Sequence, residues 1–417
     1  MTDLSRRTAM SLLLLAPVAV VAACAPEREP VTPTTSPSAP EASGEAPGAV
    51  APAAASTAPE IPPAGDVFGP TGHTWPTRTP RAYDAFDASV ECECTWEAIA
   101  AAITAVDAAA PDGSGRVLVR PGVLPGNGAG STSEPVLADV GREGRASRVL
   151  VIPRDGTESV TIDGSLRLDA VVGVAFAGFS TFPKSLVLTS TRDVAWAWSK
   201  GQAFNITSGD SGPTEDTEFV ECVTPDAVSG DADTWAFRTG SNAFRDISVR
   251  GCYIAPTYKD DGSSSHCDTL QLSGNADKEG LLLEGTVLFS STNAGFIPAA
   301  EARDIVFDRS LLVGGDRMLE RYPLPDGANA FTSGAPSVVN AAKSIDEMSA
   351  KDSIFIGRVR GTFANVENSM ISAADPPTAT AGAFESDPSL ADIDAEWLDE
   401  RAPMPTDDRL REIWQLR

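Results

Sequence analysis

Two stretches of this chain follow one plan: DTWAFRTGSNAFRDISVRGCYI, Asp233 to Ile254, and DTLQLSGNADKEGLLLEGTVLF, Asp268 to Phe289. Each opens on Asp-Thr, alternates apolar residues, passes an Asn-Ala, and closes on a second alternating run with an internal Gly. A partial third copy, ARDIVFDRSLLVGG, spans Ala302 to Gly315, and TEFVECV (217–223) and TFANVENSMI (362–371) fit the second half. The alignment makes Ile247, Leu281 and Ile305 equivalent. It also puts Cys222, Cys252, Thr286 and Ser310 in line, at spacings of 30, 34 and 24 residues. Self-similarity at this period, with Gly and Asn at the corners, describes a solenoid whose neighbouring coils bury a shared core. Period-two alternation makes its walls β-strands. A pair of β-sandwiches also explains the alternation but not the matched Asp-Thr openings.

The start of the domain fits the same picture. TWEAIAAAITAVDAAAPDGSGRVLVRPGVL predicts an amphipathic helix with Thr95 as N-cap and Trp96, Ile99, Ile103 and Val106 on one face. The strand GRVLVRPG follows, Gly115 to Gly122. A helix there shields the open end of the first coil. The repeats, the helix and the Pro-Gly strand end together resemble the pectate-lyase-like superfamily. That resemblance implies an all-β fold, a right-handed parallel β-helix with an N-terminal capping helix, and a polysaccharide partner.

The chain has only two histidines, and His266 stands in SSSHCDTLQLSG, two places before Asp268. If Leu270 and Leu272 face the core, Thr269 and Gln271 face out, and His266 and Asp268 sit on the corner before the strand. The preceding loop, YKDDGSSS, adds Lys259, Asp260 and Asp261. This segment resembles the H-x-D-x-(I/L)-Q signature of bacterial surface β-helix proteins. A His–Asp pair on an exposed ledge is an oriented base. Lyase chemistry on a uronate needs such a base together with a cation to neutralise the sugar carboxylate. The expected catalytic group is therefore His266, Asp268 and Lys259, with Gln271, Arg238, Arg250 and Arg317 binding substrate. Paired carboxylates such as Asp260 and Asp268 offer acid–base cleavage of a glycosidic bond instead. A plainer alternative is that His266 and Asp268 only bond the corner backbone and define the turn. His73 lies in a Pro-rich lead-in and is read as incidental.

Export is expected from the N-terminus. Arg6 and Arg7 precede an apolar run, Met10 to Ala23, too short to span a bilayer. Val21 to Cys24, VAAC, resembles a bacterial lipobox, which makes Cys24 the lipidated first residue of the mature chain. Residues 1–24 are thus read as a lipoprotein signal, 25–65 as a disordered Pro/Ala/Thr-rich tether, and 66–417 as the β-helix. The partners expected are a polysaccharide or cell-surface glycan and, through the anchor, the membrane's outer face. A net charge of −26 argues against nucleic acid. No cofactor or metal is implied; Cys92 and Cys94 lack the companions of a zinc site. Cys92, Cys94, Cys222, Cys252 and Cys267 leave at least one thiol unpaired, and Cys222 with Cys252 either stack or form a disulfide. Trp196 and Trp198, at strand spacing, are expected on one face, in the core or as a sugar platform. A C-terminal helix bearing Leu410, Ile413 and Trp414 is expected over the far end of the solenoid.

Overall fold

The computed structural model describes residues 67–127, 133–179, 182–298, 302–326, 328–329, 337–341 and 348–416. Cys24, the signal and the tether lie outside the described residues. Among the described residues no helix is long and apolar enough to cross a membrane.

The chain winds as a right-handed parallel β-helix. One coil consists of Trp235–Thr239, Phe244–Arg250 and Tyr253–Ile254, and the next of Asp268–Gly274, Lys278–Glu284 and Val287–Phe289. Ala294–Ile297, Ala302–Asp308 and Leu311–Val313 make the one after. Corresponding strands pair in parallel and build three faces. Ile247 pairs with Leu281 and Leu281 with Ile305, all about 1% exposed, as the repeat alignment requires. The capping helix is Trp96–Ala109; the Thr95 side chain accepts from the Ala98 N–H, and Trp96, Ile99, Ile103 and Val106 are buried.

Two columns of left-handed residues bend each coil. One column runs Gly173, Asp193, Asp216, Asp246, Gly280 and Asp304, with φ from 49° to 71°. The other runs Gly178, Trp198, Glu221, Gly251, Gly285, Arg309, Asp352 and Asn368, with φ from 45° to 75°. That conformation strains L-residues other than Asn, Asp and Gly, so stacking and outside contacts must hold the rest. The residue after each second bend turns inward. The resulting rungs are backbone N–H donations from Cys222 to Cys252 Sγ, Cys252 to Thr286 Oγ1 and Thr286 to Ser310 Oγ, at 3.3, 3.3 and 3.4 Å. Ser310 to Ser353 and Ser353 to Ser369 continue the column at 3.1 Å each. Both thiols are free, and each donates to a carbonyl of the preceding coil, Cys222 to Trp196 and Cys252 to Phe219. The stacked reading therefore holds over the disulfide.

Two expectations are corrected. Trp196 and Trp198 do not share a face. Trp196 lies inside against Phe176, centroids 5.2 Å apart, whereas the bend at Trp198 turns it outward beneath Trp75, centroids 5.0 Å apart. The C-terminal residues do not close the far end. Two short helices, Ala395–Arg401 and Asp407–Ile413, lie on the flank, where Leu398, Leu410 and Trp414 share an outer apolar cluster with Phe68, Trp75 and Trp198. The lead-in and these helices meet at the fully buried Glu221, which accepts from the Gly72 and Thr74 N–H groups and from Trp414 Nε1 at 2.8, 3.0 and 2.9 Å.

Candidate functional site

The ledge forms where a loop returns the chain to the first face of the helix. The register that pairs Trp235 with Leu270 stacks Asp233 on Asp268 in successive coils. Leu270 and Leu272 are buried in the core and Gln271 is half-exposed, as period two dictates. Thr269 points away from the core yet is covered, its hydroxyl bonded to the Phe289 carbonyl and to Ser291.

Asp268 is fully buried. One carboxylate oxygen accepts from Asn293 Nδ2 at 2.9 Å and the other from Gln271 Nε2 at 3.2 Å. Its N–H donates to Asp233 Oδ1 at 3.1 Å, and the other Asp233 oxygen lies 3.5 Å from Arg238. His266 is exposed at the rim. Burial pushes the Asp268 carboxyl up to about 6; neighbouring Asp233 adds to this, while Asn293, Gln271 and His266 oppose it. Burial raises Asp233 as well, against its bond from Asp268 and the Arg238 charge. The site thus holds two stacked, sheltered carboxylates, a guanidinium and an imidazole, and burial leaves the Asp268 carboxyl titrating at about 6.

Of the residues expected here, His266, Asp268, Gln271 and Arg238 are brought together, and three are placed elsewhere. Lys259 does not project from a free loop. It lies on the strand Thr257–Asp260, 7% exposed, and its Nζ donates to the Ser263 carbonyl at 2.6 Å. Arg250 lies on a different face, paired with Glu284 at 2.8 Å and Glu218 at 3.3 Å. It lines a groove of about 320 Å³ with Arg78, Asp216, Asp246 and Ser248 among others. Arg317 sits on the helix Gly315–Arg321 and pairs with Glu320 one turn on, at 2.5 Å. Asp233 and Asn293 complete the ledge. The Asp-Thr repeat aligns Asp233 with Asp268 without giving it a place in the site. Among the described residues no group of His, Cys, Asp and Glu is arranged to hold a metal ion.

The buried charge on Asp268 has a stability consequence. Its carboxyl binds a proton more tightly folded, at about 6, than at its ordinary 3.8. Its contribution is therefore full below the ordinary value and is lost as pH rises through 6. Asp268→Asn is expected to raise the unfolding free energy by about 2–3 kcal/mol at pH 7.5 and to change nothing near pH 4. Thermal melts across that range check the difference, and a variant no more stable than wild type at pH 7.5 contradicts it.

No family model and no curated protein matches the chain. Among solved structures it is similar to the A-module of the Azotobacter vinelandii mannuronan C-5 epimerase AlgE4, at 10% identity over 70% of this chain and 92% of that one, TM-score 0.22. The AlgE6 A-module from the same organism gives 12% identity over 70% and 95%, TM-score 0.20. The catalytic domain of a GH87 α-1,3-glucanase gives 11% over 61% and 54%, TM-score 0.20. At these scores the fold rests on the strand register of the chain itself.

Proposed function

We propose that the first face of the β-helix binds an anionic polysaccharide laid across the coils, with the His266–Asp268 ledge beside it. The charge of that face carries the reading. From Phe182–Thr189 through residues 201–208, Trp235–Thr239, Asp268–Gly274, Ala294–Ile297 and Ser337–Asn340 to Arg358–Arg360, its strands carry Lys184, Arg238, Arg358 and Arg360. All four are exposed, and the only carboxylate on these strands is the buried Asp268. In a chain of net charge −26, such a strip is the place where a polyanion meets least repulsion. Strand spacing puts Arg238 about 19 Å from Arg358 and Arg360, so the ligand is an extended chain. Gln271 and Asn340 offer neutral hydrogen-bonding groups between them.

His266 supplies an exposed base, and Arg238, in place of Lys259, is the cation at hand for a uronate carboxylate. A second reading, binding without cleavage, draws support from Asp268, whose two oxygens are both already engaged. Together with the lipobox at Cys24, either reading makes the protein a lipid-anchored module displayed outside the cell membrane.

Affinity electrophoresis in gels containing polygalacturonate or a neutral glucan tests the surface. Wild type is expected to be retarded by the polyanion alone, and Arg238→Ala with Arg360→Ala to lose about tenfold or more in affinity. Retardation unchanged in the double variant, or absent in the wild type, overturns the reading. Release of unsaturated sugar by wild type but not by His266→Ala decides for cleavage.

A further inference from the structure

A buried carboxylate pair is an odd thing to place among strands whose other charges, from Phe182 to Arg360, are all basic. Asp233 and Asp268 are stacked in successive coils, Asp268 with no exposure and the Asp233 side chain with 7%. Neither is neutralised by a bidentate arginine; the nearest guanidinium, Arg238, stands 3.5 Å from Asp233 and is itself 57% exposed. Resting on the polyanion-binding reading above, we propose that the Asp233–Asp268 pair is a proton-operated gate on that surface, admitting the anionic chain when the pair holds a proton and opposing it when both are charged.

The surroundings of the pair are mixed. From the strand of Asp233 comes Arg238, from the strand of Asp268 comes Gln271, and from the segment leading into it the exposed His266. Cys267, between His266 and Asp268, feels Asp231 and Lys259 as well. From the following coil comes only the neutral Asn293. Lys259 is held by Ser263 and Arg238 leans on Asp233, so no cation is committed to Asp268. Each charged carboxylate therefore projects its field onto the strip, through protein rather than water. A like charge added so close to the strip, in a setting of low dielectric, lowers the affinity by about tenfold. Burial holds the Asp268 carboxyl near 6, which places the transition between mildly acidic and neutral pH.

The test measures affinity for dextran sulfate, whose charge is constant across the range, from pH 5 to pH 7.5 at fixed ionic strength. Wild type is expected to bind about tenfold more tightly at pH 5 than at pH 7.5. Asp268→Asn should match wild type at pH 5 and hold that affinity to pH 7.5. Asp233→Asn, a second probe should the first not fold, should likewise hold the pH 5 affinity to pH 7.5, because its pair can carry no more than one charge. His266→Gln should keep a dependence of the same size, its transition moved slightly to higher pH because the imidazole charge no longer opposes the rise at Asp268. A wild type that binds equally at both pH values overturns the gate and leaves the surface standing. So does an Asp268→Asn variant that keeps the full dependence, or a His266→Gln variant that loses it. Failure of wild type and Asp268→Asn to bind at any pH overturns the surface itself, and the gate with it.

Discussion

Arg148→Met is expected to lower the unfolding free energy by about 3–5 kcal/mol, although the residue lies far from the ledge. Its guanidinium is 2% exposed and each of its three nitrogens is hydrogen-bonded. Nε donates to the Asp193 carboxylate at 2.8 Å and to its carbonyl at 3.2 Å. The terminal nitrogens reach Glu218, the Thr77 carbonyl at 3.1 Å and the Asp216 carbonyl at 3.2 Å. Asp193 and Asp216 are successive residues of the first left-handed column, and Thr77 belongs to the lead-in. One side chain therefore ties two bends to the strap that crosses them. Glu218 is equally sheltered: burial acts to raise it, but Arg148 and two bonds from Thr77 outweigh that and hold it below the ordinary carboxylate range. Removing the arginine takes the strongest charge from that carboxylate and leaves it to Thr77 and, at 3.3 Å, Arg250. Arg148→Met combined with Glu218→Leu should thus cost clearly less than the two single losses added together. Urea unfolding of the three variants measures the coupling, and simple additivity contradicts it.

Ile247→Asp is the second large effect, expected to cost more than about 4 kcal/mol, where Ile247→Val costs about 1 kcal/mol. Ile247 sits between Thr217 of the preceding coil and Leu281 of the next, and all three are buried. A carboxylate placed there finds Leu281 on one side and, on the other, a Thr217 hydroxyl already bonded to Thr191 and the Glu215 carbonyl. Because each coil rests on its neighbours, the loss should spread through the solenoid and not remain a local defect. A variant that unfolds within 1 kcal/mol of wild type by urea titration would mean that the side chain can escape the core, which the parallel register forbids.

The coil register was readable because equivalence between coils is a property of sequence order. Aligning Cys222, Cys252, Thr286 and Ser310 was enough to place one column, and the structure extends it to Ser353 and Ser369. Faces were harder. Period two puts Trp196 and Trp198 on one side until a left-handed residue intervenes, and nothing in VAWAWSK announces that Trp198 adopts φ 50°. The same bends send Arg250 to a different face from Arg238, so two arginines twelve residues apart do not share a site. Destinations of the terminal segments were hidden for another reason. The lead-in and the C-terminal helices find Glu221 and the outer apolar cluster across more than a hundred residues of chain, a pairing that no local pattern encodes. At the ledge, the repeat revealed Asp233 but not its purpose, because a turn aspartate and a sheltered acid look alike in one dimension.

A crystal structure with a bound oligogalacturonate tests the central claim most directly. The account predicts sugar residues running across the strands of the first face, carboxylates against Arg238 and Arg360, hydroxyls against Gln271 and Asn340, and His266 at the rim. An oligosaccharide seated instead in the groove between Arg78 and Arg250, with the first face empty, would contradict it.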